Sequence, residues 1–446
     1  MCDSIMNRIR RGARVGFFGL GKSNLSLISR LPLEKCALTL RSDAAIDRSA
    51  IPNHTKIKRI FDGKDSCRQI DEEIIFFSPS IRRDRRELIC ASDKGVTFTS
   101  DAELFFEENK KPLFAISGSD GKSTTATLTH LLLDSSLLIG NIGTPMTASL
   151  DVECERYVAE LSSFMLTYAK VKANRSCITN ITRNHLDWHH SFEEYIEAKL
   201  SLLKAAKECV INAEDEICLE FAKKNGVFGI ISDKQSYDEL QGKAEVILSC
   251  SERGILKNGE LLLEYSDIGR KETHNIKNLM MAIALCDGYT DSEQISQVAK
   301  SFSGLPHRCE KFLEKDGVEY INSSIDSSPA RTVATLLSLD KRVILLLGGR
   351  SKGLDYGELC DTVRRYAERA LIFGENREEI YSAIKDSARC ELFTTIENAT
   401  ERAIELSANA DAVILSPAST SYDAFSNFEE RGNYFKKIIT KHTNRI

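Results

Sequence analysis

Leu113-Phe114-Ala115-Ile116-Ser117-Gly118-Ser119-Asp120-Gly121-Lys122-Ser123-Thr124-Thr125 decides the fold of this chain. A short apolar run, 113–117, enters a glycine-bearing turn and leaves it in a helix-period segment, 123–133. A strand, a turn and a helix in that order belong to α/β proteins with parallel sheets. The glycines let backbone N–H groups converge on phosphate oxygens, and the helix N-terminus that follows favours negative charge. Gly118, Ser119, Asp120, Gly121, Lys122, Ser123 and Thr124 are therefore expected to cradle the phosphates of ATP. Lys122 would reach the terminal phosphates, and the Ser123 hydroxyl would ligate magnesium. The generic phosphate-loop pattern G-x-x-x-x-G-K-[ST] fails here, because Ile116 stands five residues before Gly121. The shortened form G-x-x-G-K-[ST]-T is narrower.

Outward from that stretch, short apolar runs alternate with longer helix-period segments. Before it lie candidate strands at 15–18, 36–40 and 73–77, each ending in turn residues of the kind that receive ligands in open α/β sheets. After it come 157–161, 176–181 and 208–211, then 342–347, 370–373 and 411–415. Between 181 and 208, Phe192, Ile196, Leu200 and Leu203 recur at helical spacing. Three α/β units result, at 1–100, 101–303 and 304–446, which suits a chain of 446 residues.

Composition excludes several classes. Lys and Arg number 60 against 65 Asp and Glu, a net charge of −5, so neither nucleic acid nor an anionic membrane surface is expected as partner. No apolar stretch approaches the ~18 residues of a membrane span. The N-terminus has basic residues before a short apolar run, like a signal peptide. Glycines interrupt that run, Lys22 follows it and no cleavage site is present, so it reads as a strand entering a turn. The 13 cysteines include no C-x-x-C pair, which points to reduced thiols and a cytoplasmic protein.

Other segments carry weaker chemistry. Gly19-Leu20-Gly21-Lys22-Ser23-Asn24 lacks the third glycine of a dinucleotide fingerprint, and no acidic residue closes the next strand, so a nicotinamide cofactor is disfavoured. A phosphate-receiving turn helped by Arg41 and a purely structural turn both stay open. Glu160, at a strand end, is a candidate magnesium ligand or a solvated rim residue. The stretch Asn180–His190 holds three of the eight histidines and the only tryptophan. His185 and His189 lack the glutamate of H-E-x-x-H, which disfavours zinc. His185 is placed to face the phosphates, whereas His189 and His190 read as surface residues. Spacing alone does not single out Lys199 from other lysines that snorkel to solvent. Asn275 and Asn278 offer amides suited to reading a base, and Arg308, after Gly304-Leu305-Pro306-His307, could reach phosphates.

Taken in order, GSDGKSTT (118–125), GNIGTP (140–145), ELSSF (160–164), NITRNHLD (180–187), Ala198-Lys199, HNIKN (274–278), GLPHR (304–308), LLLGGRSKG (345–353) and SPASTSYDAFSNFEERG (416–432) resemble the Mur ligase family. The resemblance runs from about residue 15 to 435, and GNIGTP with the final segment favours the branch that adds D-glutamate. It implies an α/β protein of three domains: a UDP-sugar-binding Rossmann-like N-terminal domain, a central P-loop ATPase-like domain and a Rossmann-like C-terminal domain. The implied reaction is ATP-dependent addition of D-glutamate to UDP-N-acetylmuramoyl-L-alanine through an acyl phosphate, in peptidoglycan precursor synthesis. It also implies a cytoplasmic monomer.

By the same resemblance, Lys122, His185 and Lys199 serve catalysis, and two magnesium ions are held by Ser123 with Glu160 and by His185 with a carbamylated Lys199. Asn275, Asn278 and Arg308 would contact ATP; Ser23, Asn24, Arg41 and Asn141 the UDP-sugar; Lys352, Ser327, Ser421 and Phe428 the D-glutamate. Two departures stand out. Asp120 replaces a usual Asn, and in Asn322-Ser323-Ser324-Ile325-Asp326-Ser327 the familiar N-D-S-K-A-T is broken by Ser323 for Asp and Ile325 for Lys, while Asp326 adds a negative charge near the amino-acid site. A sibling amide ligase, of the Mur or folylpolyglutamate type, is the alternative activity. A nucleotide-binding protein that has lost ligation is the alternative from another class.

Overall fold

A computed structural model describes residues 4–46, 51, 57–351 and 353–443. The chain divides into two compact units, one ending at Phe302 and one beginning at Ser303. The first unit contains two sheets. Five parallel strands lie in the spatial order Ile57–Asp62, Ala37–Ser42, Arg14–Phe18, Ile74–Phe77 and Thr97–Thr99. Strands Arg14–Phe18 and Ile74–Phe77 run side by side at the centre, which buries them on both faces and explains their continuous apolar character.

The second sheet has nine strands, which run from its centre to one edge in the order Ala206–Asn212, Ala173–Ile178, Leu113–Ser117, Arg156–Glu160 and Ser136–Gly140. These pair in parallel, while the far edge turns antiparallel through Gly254–Lys257 and Glu260–Glu264. Every residue of Leu113–Ser117 is buried, so this strand forms the axis on which the phosphate loop is mounted. Helix Lys122–Leu132 packs beside helix Thr273–Leu285, which is buried along nearly its whole length. Helix Phe192–Ala205 starts at Ser191, whose hydroxyl accepts the Glu194 N–H, with Glu193 and Glu194 in the first turn favoured by the helix dipole.

The second unit has six strands in the order Glu310–Lys315, Val318–Asn322, Ala412–Leu415, Val343–Gly348, Ala367–Phe373 and Cys390–Leu392, parallel except for the first pair. The α/β class is as the apolar runs indicate. The expected strand 176–181 runs instead over Ala173–Ile178, because Arg175 is drawn into the sheet by Glu208 and by the carbonyl of Leu285. Among the described residues, no helix is long and apolar enough to cross a membrane.

Candidate active site

The phosphate loop is shaped by two glycines. Gly121 sits at φ +79°, the left-handed region, and a Cβ there would run into the Asn278 side chain. It is also the N-cap of helix Lys122–Leu132 and supplies no side-chain cap, so the first-turn N–H groups stay available to an anion. Gly118, at φ +149°, lies against Thr179, where a Cβ would collide with the hydroxyl. The loop is pinned from below. Ser119 Oγ donates to the Thr182 carbonyl (3.1 Å), accepts the Thr182 N–H (2.9 Å) and lies 2.8 Å from the Tyr195 hydroxyl. Asp120 accepts at its carbonyl from Thr179 Oγ1 (2.5 Å) and Asn180 Nδ2 (3.2 Å), which leaves its carboxylate exposed.

Lys122 Nζ donates to the Ser119 carbonyl at 2.7 Å, folded back over the loop, and Ser123 and Thr124 occupy the first helical turn beside it. Lys199 reaches the same loop from below. Its Nζ donates to the Gly118 carbonyl at 2.6 Å and lies 4.7 Å from the centre of the Tyr195 ring, with only 1% of the residue exposed. Burial first, and the Lys122 charge second, push the Lys199 ammonium down to about 7. Spacing predicted no special place for Lys199; the fold gives it one.

Glu160 ends strand Arg156–Glu160 and is 1% exposed. Its Oε1 accepts from Asn141 Nδ2 at 2.7 Å, while Oε2 is buried with no hydrogen-bond donor among the described residues. A buried, half-satisfied carboxylate beside a phosphate loop fits a hard cation. Of the two readings for Glu160, the solvated rim residue is excluded. Among the described residues, no group of three or more His, Cys, Asp and Glu side chains forms a ready metal cage.

His185 stands in a positive-φ conformation (φ +53°), with its ring 5.0 Å from Phe164. Partial burial lowers its pKa, Asp187 opposes, and Lys122 and Lys199 lower it further; Thr182, three residues earlier, is bonded to Ser119 of the loop and brings this segment beside it. His189 corrects the surface expectation. It is buried, with Nε2 3.0 Å from Ser163 Oγ and its ring packed on Tyr195. His190 is exposed and touches Asp84 at 2.7 Å.

A cavity of about 750 Å³ opens beside the loop, lined by Asp120, Gly121, Asn180, Glu214, Lys277 and Asn278 among others. Asn278 lines it and accepts at Oδ1 from Thr125 Oγ1 (3.3 Å). Asn275 does not: it lines a separate small cavity with Arg270 and Phe302, and its amide donates to Glu272. In its place the helix offers His274 and Lys277. Sequence reading also missed the wall opposite. Burial raises the Glu214 pKa, Ser232 opposes and Asp233 adds to the rise, while Lys277 pairs with Asp233 at 3.1 Å.

The residues expected to hold a UDP-sugar divide. Ser23 is half-buried in the first turn of helix Lys22–Arg30, and Asn141 is exposed but tied to Glu160. Asn24 is wholly buried, and its amide donates to the carbonyls of Phe18, Gly19 and Phe76. Arg41 is wholly buried as well. Its five N–H donors all find acceptors inside the fold: Glu72 twice and the carbonyls of Ser66, Arg68 and Gln69. Asn24 and Arg41 therefore shape the turn rather than present donors to a ligand.

In the second unit, Lys352 lies outside the described residues. Ser327 is half-buried, Ser421 is buried, and Phe428 opens helix Phe428–Thr443 with its ring 6.0 Å from His307. Arg308 follows His307, which is held by Asn322 at Nδ1 (2.8 Å). The departures from the family pattern have internal partners. Ser323 Oγ accepts the Cys309 N–H (3.1 Å), and Asp326 Oδ2 accepts from Thr335 (2.8 Å) and Ser416 (2.7 Å).

Residues 116–286 match the Mur ligase middle domain, and residues 307–419 the Mur ligase glutamate ligase domain. The chain is 33% identical to the UDP-N-acetylmuramoylalanine--D-glutamate ligase of Ruminiclostridium cellulolyticum, over 96% of this chain and 97% of that one. It is 35% identical to the enzyme of the same name from Clostridium botulinum strain Langeland, over 83% of each. Among solved structures, the UDP-N-acetylmuramate-alanine ligase MurC of Thermotoga maritima aligns with TM-score 0.58 and 18% identity, covering 96% of this chain and 100% of that one. MurF of Acinetobacter baumannii aligns with TM-score 0.51 and 14% identity, over 97% and 91%. Those two share the fold. With a loop of this geometry and relatives of this extent, the chain belongs to the Mur ligase family of ATP-dependent, amide-bond-forming enzymes.

Proposed function

We propose that this protein adds D-glutamate to UDP-N-acetylmuramoyl-L-alanine at the expense of ATP, in the synthesis of peptidoglycan precursors, as a cytoplasmic monomer. The observation that carries the reading is the convergence of the Lys122 ammonium, the buried Glu160 carboxylate and the buried Lys199 amine on one phosphate loop. The names of its relatives supply the two substrates. On this reading 1–100 receives the UDP-sugar, 101–303 binds ATP, and 304–446 receives the amino acid.

A carboxylate is a poor acyl donor because its oxygen does not leave. The alanyl carboxylate therefore attacks the γ-phosphorus of ATP; an O–P bond forms and the bond to ADP breaks. The D-glutamate amine then attacks the acyl carbon, loses a proton, and inorganic phosphate departs with the bonding pair. Two anions meet in the first step, so Lys122 and the helix N-terminus behind it are needed to hold the phosphates in line. Ser123 with Glu160, and His185 with a carbamylated Lys199, would hold magnesium, which would supply further positive charge there. Lys199 is suited to carbamylation: only a neutral amine adds carbon dioxide, and burial brings its pKa to about 7. Asn278, His274 and Lys277 line the cavity that would take the nucleoside, while Arg308, Ser327, Ser421, Phe428 and Lys352 are assigned to ATP and D-glutamate by resemblance.

Phosphate release, followed with ATP, UDP-N-acetylmuramoyl-L-alanine and a panel of amino acids, tests the proposal. Release requiring D-glutamate supports it. Equal release with L-alanine or a diamino acid, and only background with D-glutamate, overturns the substrate assignment.

A further inference from the structure

Residues 78–85 leave the carboxyl end of strand Ile74–Phe77, the edge at which an open α/β sheet receives its ligand. From this segment Arg82 crosses to the loop that carries His185. Its Nη1 donates to the Trp188 carbonyl (2.7 Å) and to Glu194 Oε1 (2.9 Å), and its Nε donates to Asp84 Oδ2 (2.7 Å). The guanidinium lies 4.8 Å from the centre of the indole ring. Trp188 is fixed at its other end too, since its Nε1–H donates to the Ser80 carbonyl at 2.8 Å. Asp84 also takes His190 at 2.7 Å, and Glu194 accepts the His190 N–H at 2.9 Å. The contacts of Arg82 with Trp188 and Glu194, of Trp188 with Ser80, and of His190 with Asp84 all join 80–84 to 188–194.

The same indole also packs on the ring that touches His185. Phe164 packs on Trp188 at 4.5 Å and on His185 at 5.0 Å. The N–H groups of Trp188 (3.1 Å) and His189 (2.9 Å) both donate to the His185 carbonyl. His185 itself is held at φ +53°, the left-handed region that few side-chain-bearing residues adopt. The contacts of Trp188 bear directly on this turn.

We propose that Arg82 is a positioning residue for the phosphate-transfer site: by clamping Trp188 it fixes the turn that presents His185 to the phosphate loop. The proposal rests on the ligase reading above for its kinetic consequence, and on geometry alone for its spectroscopic one. A one-ångström displacement of a positioned group costs up to about a hundredfold in rate, so the clamp is expected to act on kcat rather than on ATP affinity.

Trp188 is the only tryptophan in the chain, so emission excited at the red edge, where the 12 tyrosines do not absorb, reads this junction. The full-length Arg82→Ala and Arg82→Lys variants are compared with the parent by emission spectrum, thermal unfolding, and kcat and KM. Arg82→Ala is expected to shift the emission to longer wavelength as water replaces the guanidinium. Its kcat should fall about tenfold to a hundredfold, with KM for ATP within about twofold of the parent. Arg82→Lys keeps the charge over the ring and is expected to lie between the two on both measures. Parental emission and kcat in Arg82→Ala overturn the proposal. So does a loss of activity that follows only the unfolded fraction, or an Arg82→Lys variant no better than alanine. If the parent itself shows no ATP-dependent turnover, the ligase reading fails, and the emission spectra still decide whether Arg82 holds the Trp188 turn.

Discussion

The Lys199 Nζ lies 2.6 Å from the carbonyl oxygen of Gly118, so a buried lysine props up the loop that is built to take phosphates. Burial and the neighbouring Lys122 lower its pKa from 10.5 to about 7. The folded protein therefore binds fewer protons than the unfolded chain between pH 7 and the unfolded value. Stability should rise with pH across that window and be flat in this contribution below it. Lys199→Met removes the effect. Urea unfolding of both proteins at pH 6.5, 7.5 and 8.5 is expected to show the parent gaining on the variant by up to about 1.4 kcal/mol per pH unit above pH 7. A parallel pair of curves would mean that Lys199 keeps an ordinary pKa.

Arg41 and Glu72, both fully buried and 2.8 Å apart, form an ion pair whose removal leaves a bare carboxylate inside the first sheet. Arg41→Ala should destabilise the fold by about 3–5 kcal/mol. Replacing both partners, as in Arg41→Met with Glu72→Leu, should recover part of that loss, although the carbonyls of Ser66, Arg68 and Gln69 stay unpartnered. Chemical denaturation of the three variants checks this. If Arg41→Ala unfolds like the parent and only raises KM for the UDP-sugar, Arg41 is a ligand contact after all.

These two residues also show what the sequence makes legible. The run 113–117 and its glycines are local information: apolar residues on both faces make a central strand, and Gly121 makes the turn. The α/β class and the phosphate loop follow directly. Arg41 is different, because its partner is 31 residues away and no pattern links them. His189 sits in a polar stretch, so its burial against Ser163 and Tyr195 is decided by the packing of two helices and not by its neighbours in sequence. Lys199 has the spacing of an ordinary helical lysine; only the crossing of helix Phe192–Ala205 beneath strand Leu113–Ser117 turns it toward the loop. Asp326 breaks the family pattern with an added charge, yet Thr335 and Ser416 take its oxygen inside the fold.

Gly121 admits a sharper test. At φ +79° an alanine is strained, and its Cβ would displace the Asn278 side chain that accepts from Thr125. Gly121→Ala is expected to cost about 1–2 kcal/mol in stability from the backbone alone. Because Gly121 also lines the cavity, KM for ATP should rise together with the loss of melting temperature. A variant that binds ATP like the parent would show that the loop does not hold the nucleotide in this conformation.

Asp120 is the loop's one acidic side chain, exposed at the rim of the same cavity. Its backbone makes the structural contacts, with its N–H on Asn180 Oδ1 (3.0 Å) and its carbonyl taken by Thr179 and Asn180. The carboxylate can therefore be neutralised without loosening the loop. In water-exposed surroundings a unit charge a few ångströms from a phosphate is worth about 1 kcal/mol, or about fivefold in affinity. Asp120→Asn should lower KM for ATP by up to about that factor and leave the melting temperature unchanged. The gain is electrostatic and exposed, so it should shrink as salt is raised from about 0.05 M to 0.5 M. Steady-state kinetics at the two ionic strengths decide it: an unchanged KM at low salt would place the triphosphate away from Asp120, and a salt-independent gain would point to a new amide hydrogen bond in place of relieved repulsion.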